Sequence, residues 1–205
     1  PEGQVCLVTG INGVGKSTLL RLIAGVLRPD SGEINFSDKL GKTPRQKIGF
    51  ISDRLSLYES MTVKSAIELH CTVFKVSHFD DSLLKHIKVD FKSKIKNLSI
   101  GQRTILHLSL ILSSNPELLL IDEVIHSLDA YLRKLFLEKI VSLLGERSLT
   151  VIMVNVNFHD IEHLVDRVIL LKSGRIEVDE PIDALKVKMK KLTASEFPEG
   201  IPILS

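Results

Sequence analysis

The sequence predicts an α/β fold: a mostly parallel sheet with helices between its strands and an antiparallel β edge. Three observations carry that reading. Short apolar runs recur near Val5–Thr9, Lys47–Ser52, Leu118–Asp122, Val151–Asn155 and Val168–Leu171, and helical patterns lie between them. The run Leu118–Asp122 is apolar up to its last residue, which marks a central strand covered on both faces. Ser173-Gly174-Arg175 reads as a tight turn, so Val168–Leu171 and Arg175–Val178 form a hairpin.

Taken in order, Val5-Cys6-Leu7-Val8-Thr9 reads as the first buried strand, and Leu19 to Leu27 as an apolar helix that stops before Pro29. Asp30-Ser31-Gly32-Glu33-Ile34-Asn35-Phe36 is expected to turn into an outer strand. Thr62 to about Lys96 differs in character: it is polar and helical, with no strand pattern. Gly101 to Ser113 is helical and stops at Asn115-Pro116, because a residue before proline avoids the helical region. Ala130 to Leu144 is the next helix, with Gly145 expected to close it. Lys186-Val187-Lys188-Met189-Lys190-Lys191 reads as the solvated face of a late helix. Phe197 to Ser205, with Pro198, Gly200 and Pro202, reads as a loose tail. The organisation is then one domain over residues 1–185, a helical lobe at about 62–113 inserted in it, and a basic helix end with a tail over 186–205.

Composition narrows the function classes. At 205 residues the chain is long enough to bury most of its apolar surface in one core. A net charge of +2 gives no basic footprint for nucleic acid, and no such partner is expected. Cys6 and Cys71 have no framework spacing, which suits a reducing compartment. No apolar run reaches transmembrane length and no signal peptide opens the chain. Work at a membrane would therefore go through a partner.

The chemistry begins at Gly10-Ile11-Asn12-Gly13-Val14-Gly15-Lys16-Ser17-Thr18, which fits the phosphate-binding pattern G-x-x-x-x-G-K-[ST] without a mismatch. A strand, a glycine turn and a helix start aim successive backbone N–H groups at one spot, and the helix dipole adds to their pull on anions. Lys16 is expected to reach the β- and γ-phosphates of a nucleotide, and the Ser17 hydroxyl to hold Mg²⁺. Asn12, Val14 and Thr18 complete the cradle with Gly10, Gly13 and Gly15. Far downstream, Leu98-Ser99-Ile100-Gly101-Gln102 precedes Leu118-Leu119-Leu120-Ile121-Asp122-Glu123, and Ser127-Leu128-Asp129 follows.

This order of motifs resembles the ATP-binding cassette ATPases over nearly the whole chain, from Gly3 to about Leu185. The resemblance implies a P-loop NTPase core of the RecA-like kind, with a short helical lobe. It implies that Asp122 supports Mg²⁺ and that Glu123 polarises the attacking water. It implies that Ser99, Ile100, Gly101 and Gln102 form the signature that meets the γ-phosphate held by a second nucleotide-binding subunit, with Asp129 at the same interface. It further implies a cytoplasmic subunit, peripheral at the inner face of the membrane through an integral permease. An additional strand bearing an aromatic that stacks on adenine is expected ahead of the present first residue.

Three residues depart from the family pattern. Asp53 stands where a glutamine normally reaches Mg²⁺, Ile100 replaces the first signature glycine, and Val156 occupies the switch-histidine position. His159 lies three residues beyond Val156. These departures raise the alternative of a hydrolysis-poor partner in a heterodimeric pair; a non-transport cassette ATPase is the other alternative. Leu57-Tyr58-Glu59-Ser60-Met61-Thr62-Val63 resembles a stretch common in exporter-type ATPases and tilts the reading toward export. His159-Asp160-Ile161-Glu162-His163 spells a zinc-like H-x-x-E-H pattern, read here as solvated helix charges.

Overall fold

The fold is taken from a computed structural model, which describes residues 2–41, 43–52, 57–146, 148–154 and 158–193. Six strands form one sheet: β1 (Val5–Thr9), β2 (Ile48–Ser52), β3 (Leu118–Asp122), β4 (Thr150–Val154), β5 (Arg167–Lys172) and β6 (Arg175–Pro181). Their order is β2-β3-β4-β1-β5-β6. All pairs are parallel except the β5–β6 hairpin, so the expected parallel sheet and antiparallel edge are both present.

Apolar residues on both faces of each central strand explain the layering. Leu119 and Ile121 of β3, with Val151 and Met153 of β4, bury one face in a large core. Leu118 and Leu120, with Val8 and Val154, bury the other. On the first side lie α4 (Ile100–Ser113) and α5 (Ala130–Glu146), which bring Ile105, Leu108, Phe136 and Ile140 to the core. On the second side α1 (Lys16–Ile23) inserts Leu20. Period-2 strands buried on both faces need helices on both sides, and the chain supplies them.

The helical lobe contains α2 (Val63–Phe74) and α3 (Ser82–His86). Thr62 caps α2 by accepting the Ser65 N–H at 3.1 Å. Lys139 of α5 ties the lobe down with a 2.7 Å bond to Asp80. Burial alone would raise the Asp80 carboxyl, but bonds from Lys139 and Ser82 outweigh it and hold the group at about 2.

Three expectations are corrected. Residues 33–37 form no strand and pair with none among the described residues, and Ile34 is exposed, so the expected outer strand is not formed and β2 is the sheet edge. A strand holds only where a neighbour takes its backbone groups. The first helix ends at Ile23 rather than Leu27, because Gly25 turns the chain at φ 74°. Gly145 does not close α5, which continues through it to Glu146. The tail from residue 194 onward lies outside the described residues. Among the described residues no helix is long and apolar enough to cross a membrane.

His107 sits inside α4 with its Nδ1 buried and without a hydrogen-bond partner among the described residues. Burial, reinforced by the charge of His70, lowers its pKa from 6.5 to about 4. The unfolded chain therefore binds more protons than the native one between those values. Stability is fully present above pH 6.5 and falls as pH drops toward 4, by up to about 3 kcal/mol. Urea midpoints of the parent should fall between pH 7 and pH 5, and His107→Leu should flatten that dependence. An unchanged acid slope in the variant would assign the effect to other groups.

Candidate functional site

The site forms where β1 and β3 end on the same rim of the sheet, since parallel strands place their C-terminal ends together. The loop after β1 turns sharply at Gly10, whose φ is 146°. A Cβ there would collide with the backbone oxygen of Leu171, so both conformation and space require glycine. Gly15 then adopts φ 108° and launches α1. Lys16 and Ser17 are thus the first residues of a helix whose N–H groups face the loop.

Lys16 is only 6 % exposed. Its Nζ donates to Gly10 O at 2.8 Å and Ile11 O at 3.1 Å. A buried ammonium needs acceptors, and the loop's own carbonyls supply them. The Ser17 hydroxyl donates to Asp122 Oδ1 at 2.7 Å. This bond joins residues 105 apart in sequence and unites the phosphate loop with the acidic end of β3. Asp122 is 2 % exposed, and the Arg21 guanidinium lies 3.9 Å from its Oδ2.

Glu123 follows at φ 60°, a left-handed conformation that costs a non-glycine residue energy. Its N–H donates to Val154 O at 3.4 Å, and it is exposed beyond the strand end. An exposed carboxylate on a left-handed backbone, directly after buried Asp122, is chemically able to accept a proton from water.

The signature residues start α4. Ser99 accepts the Gln102 N–H at 3.1 Å, and Gln102 Oε1 accepts the Ser99 N–H at 3.0 Å. This is a capping box, and the S-x-x-Q spacing carried that signal in the sequence. Gln102 Nε2 also donates to Ile87 O at 3.5 Å. These bonds run within the lobe and not to the phosphate loop. Ile100 is 66 % exposed. Gly101 packs against α5, where a Cβ would come within 2.5 Å of Leu132 Cδ1. Asp129 Oδ1 accepts the Leu132 N–H at 2.9 Å and steadies the first turn of α5. Ser99→Ala should cost about 1 kcal/mol of stability, and Ser99→Asp should retain most of it. Equal urea midpoints for parent and Ser99→Ala would show that the cap is not a stabilising bond.

Asp53 and Val156 lie outside the described residues, so their expected roles have no geometry here. His159 is in α6 (Phe158–Ile161), which ends before Glu162 and His163. The H-x-x-E-H letters therefore do not share one helix, and no group of three metal-ligating side chains occurs among the described residues. Arg21 was not singled out from the sequence, although its i+4 spacing from Ser17 puts both on one face of α1.

Oxygen donors and a buried carboxylate make Ser17 and Asp122 chemically suited to Mg²⁺, a hard cation. The ABC transporter family model matches residues 1–126. The aliphatic sulfonates import ATP-binding protein SsuB 1 of Rhizobium johnstonii is 34 % identical over 188 residues, covering 89 % of this chain and 68 % of that protein. The thiamine import ATP-binding protein ThiQ of Yersinia pestis is 34 % identical over 193 residues, covering 89 % and 82 %. A solved ATP-binding subunit of an ABC transporter shares the fold at TM-score 0.80 and 21 % identity, over 92 % of this chain and 83 % of that one. The ATP-binding cassette MJ0796, solved as a dimer in a post-hydrolysis state with ADP and Pi, matches at TM-score 0.72 and 26 % identity, over 89 % and 87 %. A complete phosphate loop bonded to the acidic end of β3, on this sheet and with these relatives, leads to one conclusion: the chain belongs to the ABC transporter family, as one of its ATP-binding ATPase subunits.

Proposed function

We propose that the chain binds Mg-ATP at the Gly10–Thr18 loop, pairs with a second nucleotide-binding subunit across two nucleotides, and drives a separate membrane permease from its cytoplasmic face. The observation that carries this reading is the 2.7 Å bond from Ser17 to Asp122 beside buried Lys16. Those three side chains are the ones that phosphate and a divalent cation need together. Lys16 gives up the Gly10 and Ile11 carbonyls and turns its charge to the phosphates. Ser17 and Asp122 would hold Mg²⁺, which when bound neutralises phosphate charge. Asp53 is a weaker candidate for the same ion. Glu123 takes the proton of the attacking water. Ser99, Ile100, Gly101 and Gln102, with Asp129, face the nucleotide on the second subunit, and the exposure of Ile100 leaves that surface open to it.

For direction we propose import. The relatives above carry import in their names. The stretch that resembled exporters has local duties instead: Glu59 pairs with Arg103 at 2.9 Å, and Thr62 caps α2. A hydrolysis-poor partner remains the second reading, favoured by Asp53, Ile100 and Val156. It is tested by phosphate release from the parent, Val156→His, and Val156→His with Asp53→Gln. A positioned acid–base group contributes roughly 10²–10⁴-fold, so a deficient parent should gain from the first repair. A brisk parent rate, unmoved by either repair, contradicts the second reading and leaves a fully active ATPase.

A further inference from the structure

Asp122 is buried, and a buried carboxylate needs compensation for both oxygens. Oδ1 has the Ser17 hydroxyl at 2.7 Å. Among the described residues Oδ2 has no such short bond to a cation: it faces the Arg21 guanidinium at 3.9 Å, an ion pair beyond hydrogen-bond length. Lys16 does not fill this role, because its Nζ is bonded to Gly10 O and Ile11 O. The Asp122 side chain is 3 % exposed while that of Arg21 is 35 % exposed, so the pair joins an interior charge to a head group with access to water. Arg21 also lines a groove of about 600 Å³ with Gln46, Phe50 and Ser52, between the sheet edge and the helical lobe. The guanidinium thus has open space to withdraw into.

We infer that Arg21 is a positioning residue for Asp122: it serves as the resident counter-ion when no metal is bound, and it sets how tightly a divalent cation is held there. The inference rests on Ser17 and Asp122 being the Mg²⁺ ligands. Ser17 and Arg21, one turn apart on α1, face the two oxygens of one carboxylate: the hydroxyl bonds Oδ1 and the guanidinium stands off Oδ2. A long-range ion pair stabilises the carboxylate charge without locking the oxygen. On the Oδ2 side an entering cation has only the long Arg21 contact to displace, and the repulsion between the two positive charges then weakens metal retention. The arrangement favours release of the metal after each turnover.

The test is Mn²⁺ binding followed by electron paramagnetic resonance, with a non-hydrolysable ATP analogue present, for the parent, Arg21→Gln, Arg21→Lys and Asp122→Asn. Arg21→Gln should bind Mn²⁺ about tenfold more tightly, the size of effect a like charge has at this range. Its melting temperature should fall in the metal-free protein and recover in the Mn²⁺–nucleotide complex. Arg21→Lys should stay near the parent. Analogue affinity in EDTA should be the same for parent and Arg21→Gln. Unchanged or weaker Mn²⁺ binding in Arg21→Gln, with melting lowered equally in both states, would make Arg21 a packing residue and overturn the inference. Loss of analogue binding in EDTA would do so too, by placing Arg21 on the phosphates. Asp122→Asn that binds Mn²⁺ like the parent would overturn the ligand assignment itself, and the inference with it.

Discussion

Lys16→Ala is expected to lose nucleotide binding while the fold survives. The lysine supplies the one ammonium in the Gly10–Thr18 motif, and its contacts with phosphate are charge-assisted. Losing about 2–3 kcal/mol of such bonds weakens ATP roughly a hundredfold. The substitution also acts on the empty protein. It removes the donor to Gly10 O and Ile11 O, whose 2.8 and 3.1 Å bonds belong to a nearly buried group. Leaving those carbonyls short of a partner costs about 1–3 kcal/mol where water cannot replace it. The decisive quantity is therefore the shift that Mg-ATP induces, not the absolute melting temperature. A ligand at a hundred times its Kd stabilises the native state by about 2.7 kcal/mol, and that increment should vanish in the variant. An equal increment in variant and parent would show that phosphate binds elsewhere.

Glu123→Gln is expected to keep ATP binding, remove hydrolysis and trap a dimer. The amide preserves size and the left-handed backbone at φ 60°, but it accepts no proton. The rate should fall by roughly 10²–10⁴-fold. With ATP uncleaved, two copies stay joined through nucleotide, and light scattering in Mg-ATP should read the mass of a dimer. Phosphate release at the parent rate would show that Glu123 is not the base. Release abolished with the mass unchanged would separate the catalytic role from the pairing role.

Much of the fold was legible because the strands carry apolar residues on both faces. Leu118-Leu119-Leu120-Ile121-Asp122 is buried throughout, as a central parallel strand must be. The phosphate loop was legible because its glycines answer a local backbone demand, such as the φ of 146° at Gly10. What escaped the sequence depended on partners distant along the chain. The Glu33–Phe36 run looks extended in isolation, yet among the described residues no strand lies alongside to complete it. Gly145 looks like a helix end, but α5 carries on to Glu146. Arg21 looks like one more polar residue on an amphipathic helix. Only the fold reveals Asp122 beside it. His107 shows the same limit: its burial follows from packing, not from its letters.

The most direct test of the account is a crystal structure of the protein grown with Mg²⁺ and a non-hydrolysable ATP analogue. The account requires the triphosphate on the Gly10–Thr18 loop, with Lys16 Nζ moved from the Gly10 and Ile11 carbonyls to phosphate oxygens and the metal beside Ser17 and Asp122. Nucleotide bound at another surface, with Lys16 still on its two carbonyls and Ser17 still bonded to Asp122, would contradict it.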